Sequence, residues 1–571
     1  MSNHVSSAAS WQVRLKVLLA IFVLVFGVII FRLFQKQILQ FDFYQALASQ
    51  QYTTTQELPS SRGKIYVKDG YNTSHYYPIA LNKPSYQLLA VPKNIKDPKE
   101  VAEKIAPIIK KDVDEMYDEI NNQKPYIPPI AKKLTKLQAE EIENCDFEGI
   151  LLIPEEWRYY PEGKMASHIL GYVNLDKEGL YGIEGYWNEF LAGEPGVLFG
   201  ERGSWGNIID VGIASSPKNG EDLYLTIDRI IQNKIYEKLV EAVKKYRAKK
   251  GTIIIAEPDT GKIVAMASYP DFDPNYYNKT ENVERFNNPA IAEVYEPGSV
   301  FKIVAMAAAI DAGKVKPETE NIFGKCIDVG IETVCTSTGR AYGKETMTQV
   351  LENSDNVGMV WVAEQMGGKV FYNYIKDFGF GTFTEVDINT EVKGELLPLS
   401  EWREINRATM SFGQGIAVTS LQMIGAISAI ANGGELMQPY VVEKRIDWEG
   451  NEEITKDKIV RRVISIETAE QVKEMMVSVV ENGFGKKAKV SGYRIAGKTG
   501  TAEVPVAGRG YSEDINIISF GGFAPVDDPA FAMLIKLDSP EGAPWSSDTV
   551  APLFGEISEW LLHYLQIPPS E

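Results

Sequence analysis

The chain has 571 residues, too many for one ordinary hydrophobic core, so two or more domains are expected. Its composition, 44% hydrophobic and 24% charged, is that of a folded protein, and its formal net charge of −18 argues against a nucleic-acid partner. Four scattered histidines and three cysteines without a Cys-x-x-Cys pair argue against a histidine triad and a metal centre, so no cofactor is expected.

The first predicted element is a helix that spans a membrane. Every residue from Val17 to Phe31 is uncharged and either apolar or glycine, and the stretch 15–34 is long enough to cross a hydrocarbon core of ~30 Å. A cleaved signal peptide is the alternative, but the bulky, charged run after Phe31 lacks a small-x-small cleavage site. We therefore expect a cytoplasmic tail over residues 1–13 and an uncleaved membrane helix over residues 14–35.

The sequence also predicts on which side of the membrane the long body lies. Positive charges flank the apolar stretch almost equally, so charge counting alone does not orient it. A short tail before a long folded body favours an N-terminus in the cytoplasm, which places the body on the extracytoplasmic side of the cytoplasmic membrane. Helical spacing of apolar residues continues after the membrane and predicts a stalk helix over 36–55, ending near Thr53–Thr55.

Two larger regions follow the predicted stalk. Residues 56–218 are rich in proline, glycine and short strand-like runs, without a regular pattern. Residues 219–571 open with a predicted strand at 222–228. A helix over 230–250 and two strands, 251–256 and 263–267, are predicted next, and a turn with proline and glycine joins the two strands.

The first candidate catalytic motif is Ser299-Val-Phe-Lys302. It opens a segment, 300–312, that is predicted to be helical. A serine at a helix N-terminus lies near unpaired N–H groups and the positive end of the helix dipole. Lys302 follows one turn later on the same face, where a neutral, buried amine could accept the serine proton. Taken alone, the pattern is more often a helix cap and a solvated lysine.

The second candidate motif is Ser354-Asp355-Asn356, between predicted helices over 347–352 and 357–366. All three residue types cap helices well, so an ordinary capping loop is the competing interpretation. The functional interpretation places Ser354 in a proton relay to the leaving group and Asn356 against the substrate amide.

The third candidate motif is Lys498-Thr499-Gly500-Thr501, predicted to lie on an edge strand. Such a strand can pair with an extended peptide, and Gly500 allows close backbone approach. Lys498 and the two threonine hydroxyls suit a terminal carboxylate. Residues 492–499 also match the Walker A pattern, but a P-loop needs a helix at its Lys-Thr, and the sequence that follows is poor helix sequence.

The three motifs, in this order, are the signature of penicillin-binding proteins and class A β-lactamases. The chain resembles the class B penicillin-binding proteins over nearly its whole length. The resemblance extends beyond the motifs to six further runs of sequence. These are Arg62-Gly-Lys-Ile65, Arg158-Tyr-Tyr-Pro161, Leu170-Gly-Tyr-Val173, Gly182-Ile-Glu184, Tyr295-Glu-Pro-Gly-Ser299 and Ser411-Phe-Gly-Gln-Gly415.

The resemblance implies an α/β multidomain fold. After the membrane helix, an elongated mixed α+β pedestal would cover residues 56–218, and a β-lactamase-like transpeptidase domain, an antiparallel sheet flanked by helices, would cover 219–571. The stretch 173–182 resembles division-type members more than elongation-type ones. Two positions depart from the common pattern: Asp355, where many members have serine, and Glu503, where glutamine is common.

The resemblance also implies the reaction. Ser299 would attack the D-Ala-D-Ala carbonyl of a peptidoglycan stem peptide and release the last D-Ala. It would then pass the acyl group to an amine on a neighbouring peptidoglycan strand. The backbone N–H groups of Ser299 and Thr501 would form the oxyanion hole. β-Lactam antibiotics would leave a stable acyl-serine. The implied protein partners are a membrane-embedded glycosyltransferase and other divisome proteins.

Three rival functions are less consistent with the sequence. A β-lactamase shares the motifs but needs neither a membrane anchor nor a pedestal of this size, and the extra glutamate of class A enzymes is not identifiable. A β-lactam sensor requires a large signalling portion on the other side of the membrane. A scaffold with a vestigial site would not keep all three motifs intact.

Cys326 and Cys335 are separated by only eight residues in the part of the chain that is predicted to be exported. An oxidising compartment favours a disulfide between them, and a loop this short would constrain the unfolded chain by ~2–3 kcal/mol. Two buried thiols are the alternative, and the sequence leaves the choice open.

Overall fold

The computed structural model describes residues 6–41, 53–125, 127–202, 208–506, 510–542 and 545–570. The chain divides into two compact units. The first comprises Met1–Ser60 with Glu194–Asn219, and the second comprises Ser61–Gly193 with Gly220–Glu571. All residues of the predicted active site therefore belong to the second unit.

Short strands and helices alternate along the first part of the chain, and aspartate or threonine caps open several helices. Asp97, for example, accepts hydrogen bonds from the backbone N–H groups of Lys99 and Glu100. The elements are α1 (Ser6–Phe34), β1 (Thr53–Leu58), β2 (Ile65–Lys68), β3 (Tyr76–Ala90), α2 (Pro98–Ile109), α3 (Val113–Ile120), β4 (Ala131–Leu134), α4 (Lys136–Glu143), β5 (Ile150–Tyr159), α5 (Ser167–Leu170), β6 (Tyr172–Val173), β7 (Gly179–Leu180), α6 (Gly182–Tyr186), α7 (Asn188–Ala192), β8 (Gly196–Arg202) and β9 (Ile208–Ser215).

The N-terminal helix has the length and composition predicted for a membrane span. Helical structure runs from α1 into a short π-helical turn, Gln35–Leu39. The stretch Trp11–Leu39 is long and apolar enough to cross a membrane, and none of its most apolar part is buried by the residues that the structure describes. An uncovered apolar surface of this length is stable in lipid rather than in water.

The predicted stalk helix does not reach residue 55. The structure places Thr53–Leu58 in strand β1, which pairs antiparallel with β8. Three successive β-branched threonines open this strand, and such side chains favour extended backbone over helix. The middle of the predicted stalk, residues 42–52, lies outside the described residues.

Three of the sequence runs quoted above meet at one buried carboxylate in the second unit. Glu184 is fully buried, and it accepts hydrogen bonds from Arg62 Nε at 2.7 Å and from Arg158 Nε at 2.6 Å. Tyr160 Oη donates to the same carboxylate at 3.2 Å. Burial alone would raise the pKa of Glu184, but the two guanidinium groups outweigh it and lower the pKa. The runs around Arg62, Arg158 and Glu184 are thus parts of one structural junction.

The second part of the chain builds a larger α/β body. Its elements are β10 (Asp222–Asp228), α8 (Arg229–Lys245), β11 (Lys250–Ala256), β12 (Ile263–Tyr269), α9 (Pro289–Ala292), β13 (Val294–Tyr295), α10 (Lys302–Asp311), β14 (Glu320–Phe323), β15 (Cys326–Val329), β16 (Glu332–Cys335), β17 (Gly343–Thr346), α11 (Met347–Glu352), α12 (Asn356–Met366), α13 (Gly368–Asp377), α14 (Glu404–Met410), β18 (Val418–Thr419), α15 (Ser420–Ala431), β19 (Glu435–Met437), β20 (Val442–Ile446), β21 (Glu452–Ile454), β22 (Ile459–Arg462), α16 (Ile466–Glu481), β23 (Ala496–Val506), β24 (Gly510–Ala524), β25 (Phe531–Asp538) and α17 (Val550–Tyr564).

A five-stranded antiparallel sheet, in the order β12-β11-β25-β24-β23, forms the centre of this body. Successive side chains of β11 enter different cores: Ile253 and Ile255 pack in the cluster that contains α8 and α17, and Ile254 packs in the cluster that contains α10 and α15. The predicted antiparallel sheet flanked by helices is confirmed. The predicted helix over 230–250 ends earlier, at Lys245, because Arg247 has a left-handed φ of +48°.

A second sheet joins the two large sequence regions. Its strand order is β21-β20-β10-β2-β3-β4, with β5 also paired to β3. Within it, Leu223 of β10 pairs with Ile65 of β2 in parallel and with Arg445 of β20 antiparallel. The first strand of the predicted transpeptidase region is therefore the neighbour of a pedestal strand.

Candidate active site

Ser299 lies in a tight helical turn, Gly298–Phe301, that leads directly into α10. Gly298 has a φ of +54°, and a Cβ at this position would lie 2.8 Å from the carbonyl oxygen of Thr501. The turn therefore requires glycine before the serine. Val300 and Phe301 are fully buried, whereas Ser299 is only partly buried. The turn is thus fixed in the core and presents one polar residue at its surface.

Lys302 is the first residue of α10, and its side chain is fully buried. Its Nζ donates to the carbonyl oxygen of Ser354 at 2.7 Å, to Ser354 Oγ at 3.2 Å and to Asn356 Oδ1 at 2.7 Å. Within the described part of the chain, none of its hydrogen bonds goes to Ser299. The first and second motifs therefore meet through the lysine amine, and the serine stands one turn away from it.

The hydroxyl of Ser354 lies between two buried lysines. Lys498 Nζ donates to Ser354 Oγ at 3.0 Å, from the opposite motif to Lys302. Lys498 Nζ also donates to Thr499, at 3.1 Å to the carbonyl oxygen and at 3.3 Å to Oγ1. Ser354 has a φ of +51°, a conformation that costs a non-glycine residue ~1–3 kcal/mol. The strained residue is the one at which all three motifs converge.

Burial changes the proton affinity of both lysines. It lowers the pKa of Lys302 well below the ordinary value; repulsion by Lys498 adds to this effect, and attraction to Asp355 opposes it. Burial lowers the pKa of Lys498 to about 7. Two ammonium groups this close repel each other, so the pair holds one proton more readily than two. Lys302 is therefore the amine of the pair that gives up its proton more readily, and its neutral form is the one that can accept a proton.

Asp355 caps a helix, as the competing interpretation of the second motif predicted. Its carboxylate accepts hydrogen bonds from the backbone N–H groups of Val357 at 2.9 Å and Gly358 at 3.1 Å, at the start of α12. It is fully buried, and burial raises its pKa, although the backbone donors and Lys302 oppose the shift. The middle residue of the motif thus caps α12 and places a carboxyl group near Lys302.

Asn356 is engaged at both ends of its amide. Its Oδ1 accepts from Lys302, and its Nδ2 donates to the carbonyl oxygen of Cys335 at 3.3 Å. An amide nitrogen carries two N–H groups, so one more can point to a ligand. The predicted contact of Asn356 with a substrate amide is compatible with this arrangement and stays a prediction.

A cavity of about 1020 Å³ opens over these residues. All three motifs contribute to its wall. Lys302 and Lys498 do not line the cavity themselves, but both donate hydrogen bonds to the hydroxyl of Ser354, which does. The lining residues from the motifs are Ser299, Ser354, Asn356, Thr499 and Thr501. The hairpin segment 332–338 and Trp545 also line it, and no motif indicated them. Trp545 is 51% exposed, so its indole ring is accessible to a ligand in the cavity.

The third motif lies on an edge strand, as predicted, because β23 pairs only with β24 in the described part of the sheet. A Cβ on Gly500 would lie 2.5 Å from Ser519 Oγ and 2.6 Å from Val300 Cγ2, so this glycine allows β23 to pack against the turn that carries Ser299. Thr501 Oγ1 lies 3.0 Å from Ser546 Oγ. The predicted roles of Gly500, Thr499 and Thr501 toward a substrate stay predictions.

The Walker A pattern is a chance match. Strand β23 continues through Lys498 and Thr499, where a P-loop would begin a helix. Among the residues that the structure describes, no group of three or more His, Cys, Asp or Glu side chains is placed to hold a metal ion.

Cys326 and Cys335 form a disulfide, so the bridge that the sequence left open is present. The two residues are paired partners of the β15–β16 hairpin, and Cys335 lines the cavity. Because the carbonyl oxygen of Cys335 also accepts from Asn356, the bridged hairpin is connected directly to the second motif. Cys145 has a free thiol.

Comparison with known families gives two matches, which together span most of the chain. Residues 251–559 match the penicillin binding protein transpeptidase domain, and residues 57–225 match the penicillin-binding protein dimerisation domain.

Individual proteins are similar over nearly the full length. The stage V sporulation protein D of Bacillus subtilis is 33% identical, over 96% of this chain and 86% of its own. The peptidoglycan D,D-transpeptidase FtsI of Escherichia coli is 30% identical, over 90% of this chain and 85% of its own. The crystal structure of penicillin-binding protein 3 from Mycobacterium tuberculosis with aztreonam has a TM-score of 0.71 at 26% identity, covering 90% of this chain and 98% of that one.

Proposed function

This chain belongs to the class B penicillin-binding proteins of the division type, and on that premise we propose which of its residues carry out the reaction. The enzyme is a serine-type peptidoglycan D,D-transpeptidase that cross-links stem peptides and binds β-lactams. The observation that carries the assignment is the hydroxyl of Ser354, which accepts hydrogen bonds from Lys302 and Lys498 in the wall of the cavity that Ser299 lines.

In the acylation step, Ser299 Oγ attacks the carbonyl carbon of the D-Ala-D-Ala bond. The hydroxyl proton passes to Nζ of Lys302 in its neutral form, which burial and Lys498 favour by lowering the pKa of this lysine. The carbonyl oxygen becomes an oxyanion, and the backbone N–H groups of Ser299 and Thr501 stabilise it. The C–N bond then breaks, and the departing amine takes a proton through the hydroxyl of Ser354.

The third motif binds the end of the substrate in this mechanism. Thr499 and Thr501, which line the cavity, face the terminal carboxylate, and Lys498 adds its positive charge from behind Ser354. The edge of β23, with Gly500, pairs with the extended peptide. Asn356 orients the substrate amide with its second N–H group. In the second step, an amine of a neighbouring peptidoglycan strand attacks the carbonyl carbon of the acyl-serine. The new peptide bond joins the two stem peptides, and Ser299 is released.

The proposed domain boundaries are those that the sequence predicts. Residues 1–13 are a cytoplasmic tail, 14–35 a membrane helix, 56–218 a pedestal and 219–571 the transpeptidase domain. The apolar helix and the full-length similarity to FtsI support a membrane anchor. The body then lies on the extracytoplasmic side of the cytoplasmic membrane, where its substrate is, and its partners are a membrane-embedded glycosyltransferase and other divisome proteins.

A reporter fused after Ser60 tests this topology. An extracytoplasmic reporter such as alkaline phosphatase should be active there, because one membrane crossing precedes the fusion point. The matched control is the same fusion without residues 14–35, which should leave the reporter inactive in the cytoplasm. Activity of a cytoplasmic reporter fused after Ser60 in the full-length context contradicts the proposed location.

Replacing Lys498 by alanine should slow acylation by a fluorescent penicillin at least ~10-fold, because a hydrogen bond from a charged group is worth about 1.5–3 kcal/mol. The substitution removes a donor to Ser354 and the cation that lowers the pKa of Lys302. Thr499→Val is the matched variant and should have a smaller effect, since it removes a hydroxyl and keeps the charge.

The measurement is the second-order acylation rate, with and without millimolar ATP and Mg²⁺, followed by release of the label over hours. Under the proposed function the parent protein remains labelled, and ATP changes nothing. Rapid release of the label indicates a β-lactamase. Unchanged acylation in Lys498→Ala, with ATP binding by the parent protein, contradicts the role given to the third motif.

A further inference from the structure

A carboxyl group outside the three motifs lies buried beside the second motif. Glu345, on β17, is 3% exposed, and its Oε1 accepts a hydrogen bond from Asn353 Nδ2 at 2.7 Å. Its Oε2 is also buried and meets no hydrogen-bond donor among the described residues. Burying an ionised oxygen without a hydrogen-bond donor costs free energy. The unpaired Oε2 therefore indicates that a proton is present on or beside this carboxyl group.

The side chain of Glu345 contacts the carboxyl group of Asp355 within hydrogen-bonding reach. Asp355 is fully buried, and each of its oxygens already accepts a backbone N–H, from Val357 and from Gly358. Two ionised carboxylates can only accept hydrogen bonds and repel each other, whereas a protonated carboxyl group donates one. The contact is therefore favourable only when one of the two groups carries a proton.

The surroundings assign that proton to Glu345. Asp355 has two backbone donors at a helix N-terminus and a nearby Lys302, all of which favour its charged form. Glu345 has a single amide donor, and Asp355 and Glu352 repel its charge. Burial, the largest influence, raises the pKa of Glu345 to about 7.

We propose that Glu345 is a protonated positioning residue of the transpeptidase site, whose carboxyl group donates a hydrogen bond to Asp355 and limits the charge beside Lys302 to one. This inference rests on the proposed role of Lys302 as the base. Asp355 favours the protonated form of Lys302, the form that cannot accept the serine proton. A second carboxylate charge would strengthen that effect, and the neutral Glu345 prevents it.

The charged groups around the pair determine the pH dependence. They are Glu352 from α11, Asp355 at the start of α12, Lys302 from α10 and, facing Lys302, Lys498 from β23. As the pH rises through the pKa of Glu345, its carboxylate forms and raises the pKa of Lys302. The acylation rate of the native enzyme is therefore expected to rise at a higher pH than that of an enzyme in which residue 345 cannot ionise.

The test compares Glu345→Gln and Glu345→Leu with the native full-length enzyme, by measuring acylation rates with a fluorescent penicillin between about pH 5.5 and 9. Glutamine can donate to Asp355 and accept from Asn353 without titrating. At about pH 6, where the native Glu345 is protonated, the glutamine variant should acylate within about threefold of the native rate. The midpoint of its rise with pH should lie about one unit lower.

The leucine variant removes both hydrogen bonds and should be at least about tenfold slower at every pH. Glu320→Gln is the control and should have the native profile, because Glu320 is exposed on the neighbouring strand β14. A glutamine profile that superimposes on the native one overturns the proposal, and so does a glutamine variant tenfold slower at about pH 6. If the native enzyme is not labelled at all, the proposed function fails instead.

A second measurement does not depend on activity or on the leucine variant folding. The infrared difference between the native enzyme and Glu345→Gln should contain the carbonyl stretch of one neutral carboxylic acid at about pH 6, and the stretch should disappear as the pH rises through about 7. Absence of this band at the lower pH overturns the assignment of the proton.

Discussion

Replacing Ser299 by alanine is expected to abolish covalent labelling by β-lactams, with the fold intact. Ser299 is the hydroxyl residue that lies one turn before Lys302 at the start of α10 and lines the cavity. Without its oxygen no acyl-enzyme can form, although the cavity can still bind penicillin without reaction. The measurement is mass spectrometry of the labelled, digested protein: the native enzyme should carry one label, on the tryptic peptide 286–302.

Ser337→Ala is the matched control, because Ser337 lines the same cavity and is exposed in the bridged hairpin segment. It should be labelled at the native stoichiometry. A label on any other peptide of the native enzyme, or labelling that persists in Ser299→Ala, contradicts the assignment of the nucleophile.

Replacing Lys302 by methionine should slow acylation by ~10²–10⁴-fold, the usual contribution of a general base. Methionine fills the buried site with a chain of similar length but has no amine to take the proton of Ser299. The stoichiometry of labelling should remain one per chain after long incubation, since the nucleophile is unchanged. The measurement is the acylation rate at saturating penicillin, which separates the chemical step from binding.

The control for this substitution is Lys473→Met. Lys473 is also buried, at 5% exposure, but it lies on α16 and pairs with Glu470. Its variant shows the effect of losing a buried amine elsewhere in the domain and should acylate at the native rate. A fall of less than ~10-fold in Lys302→Met would mean that another group takes the serine proton.

The motifs were predictable because each is a single local element. A glycine before a serine and an apolar helix predicts the turn of Ser299, and a run of capping residues predicts the start of α12. The β-branched residues Thr499, Thr501, Val504 and Val506 favour the extended edge strand β23. Local propensity and periodicity are sufficient for such elements. The order of the three motifs then supplied the family and its antiparallel sheet.

What could not be predicted depends on tertiary contacts that no local sequence pattern encodes. No sequence pattern predicts a role for Glu345, because its contact with Asp355 depends on how the chain runs from β17 through α11. Likewise, nothing local relates Arg62 to Glu184, and the pairing of Thr53–Leu58 with a strand near residue 200 decides its conformation more than the helical spacing before it. Tertiary contacts override local preference at these positions.

Under the proposed topology, the sheet that contains β2, β10 and β20 has a consequence for how the protein acquires its structure during export. Strand β2 is made near residue 65, its neighbour β10 near residue 223, and β20, on the far side of β10, only near residue 445. Until that last strand has crossed the membrane, one edge of β10 has no partner, and unpaired edges invite pairing with other chains. Under the proposed topology, this sheet can therefore be completed only after residue 445 has crossed the membrane, and until then the open edge of β10 can pair with other chains.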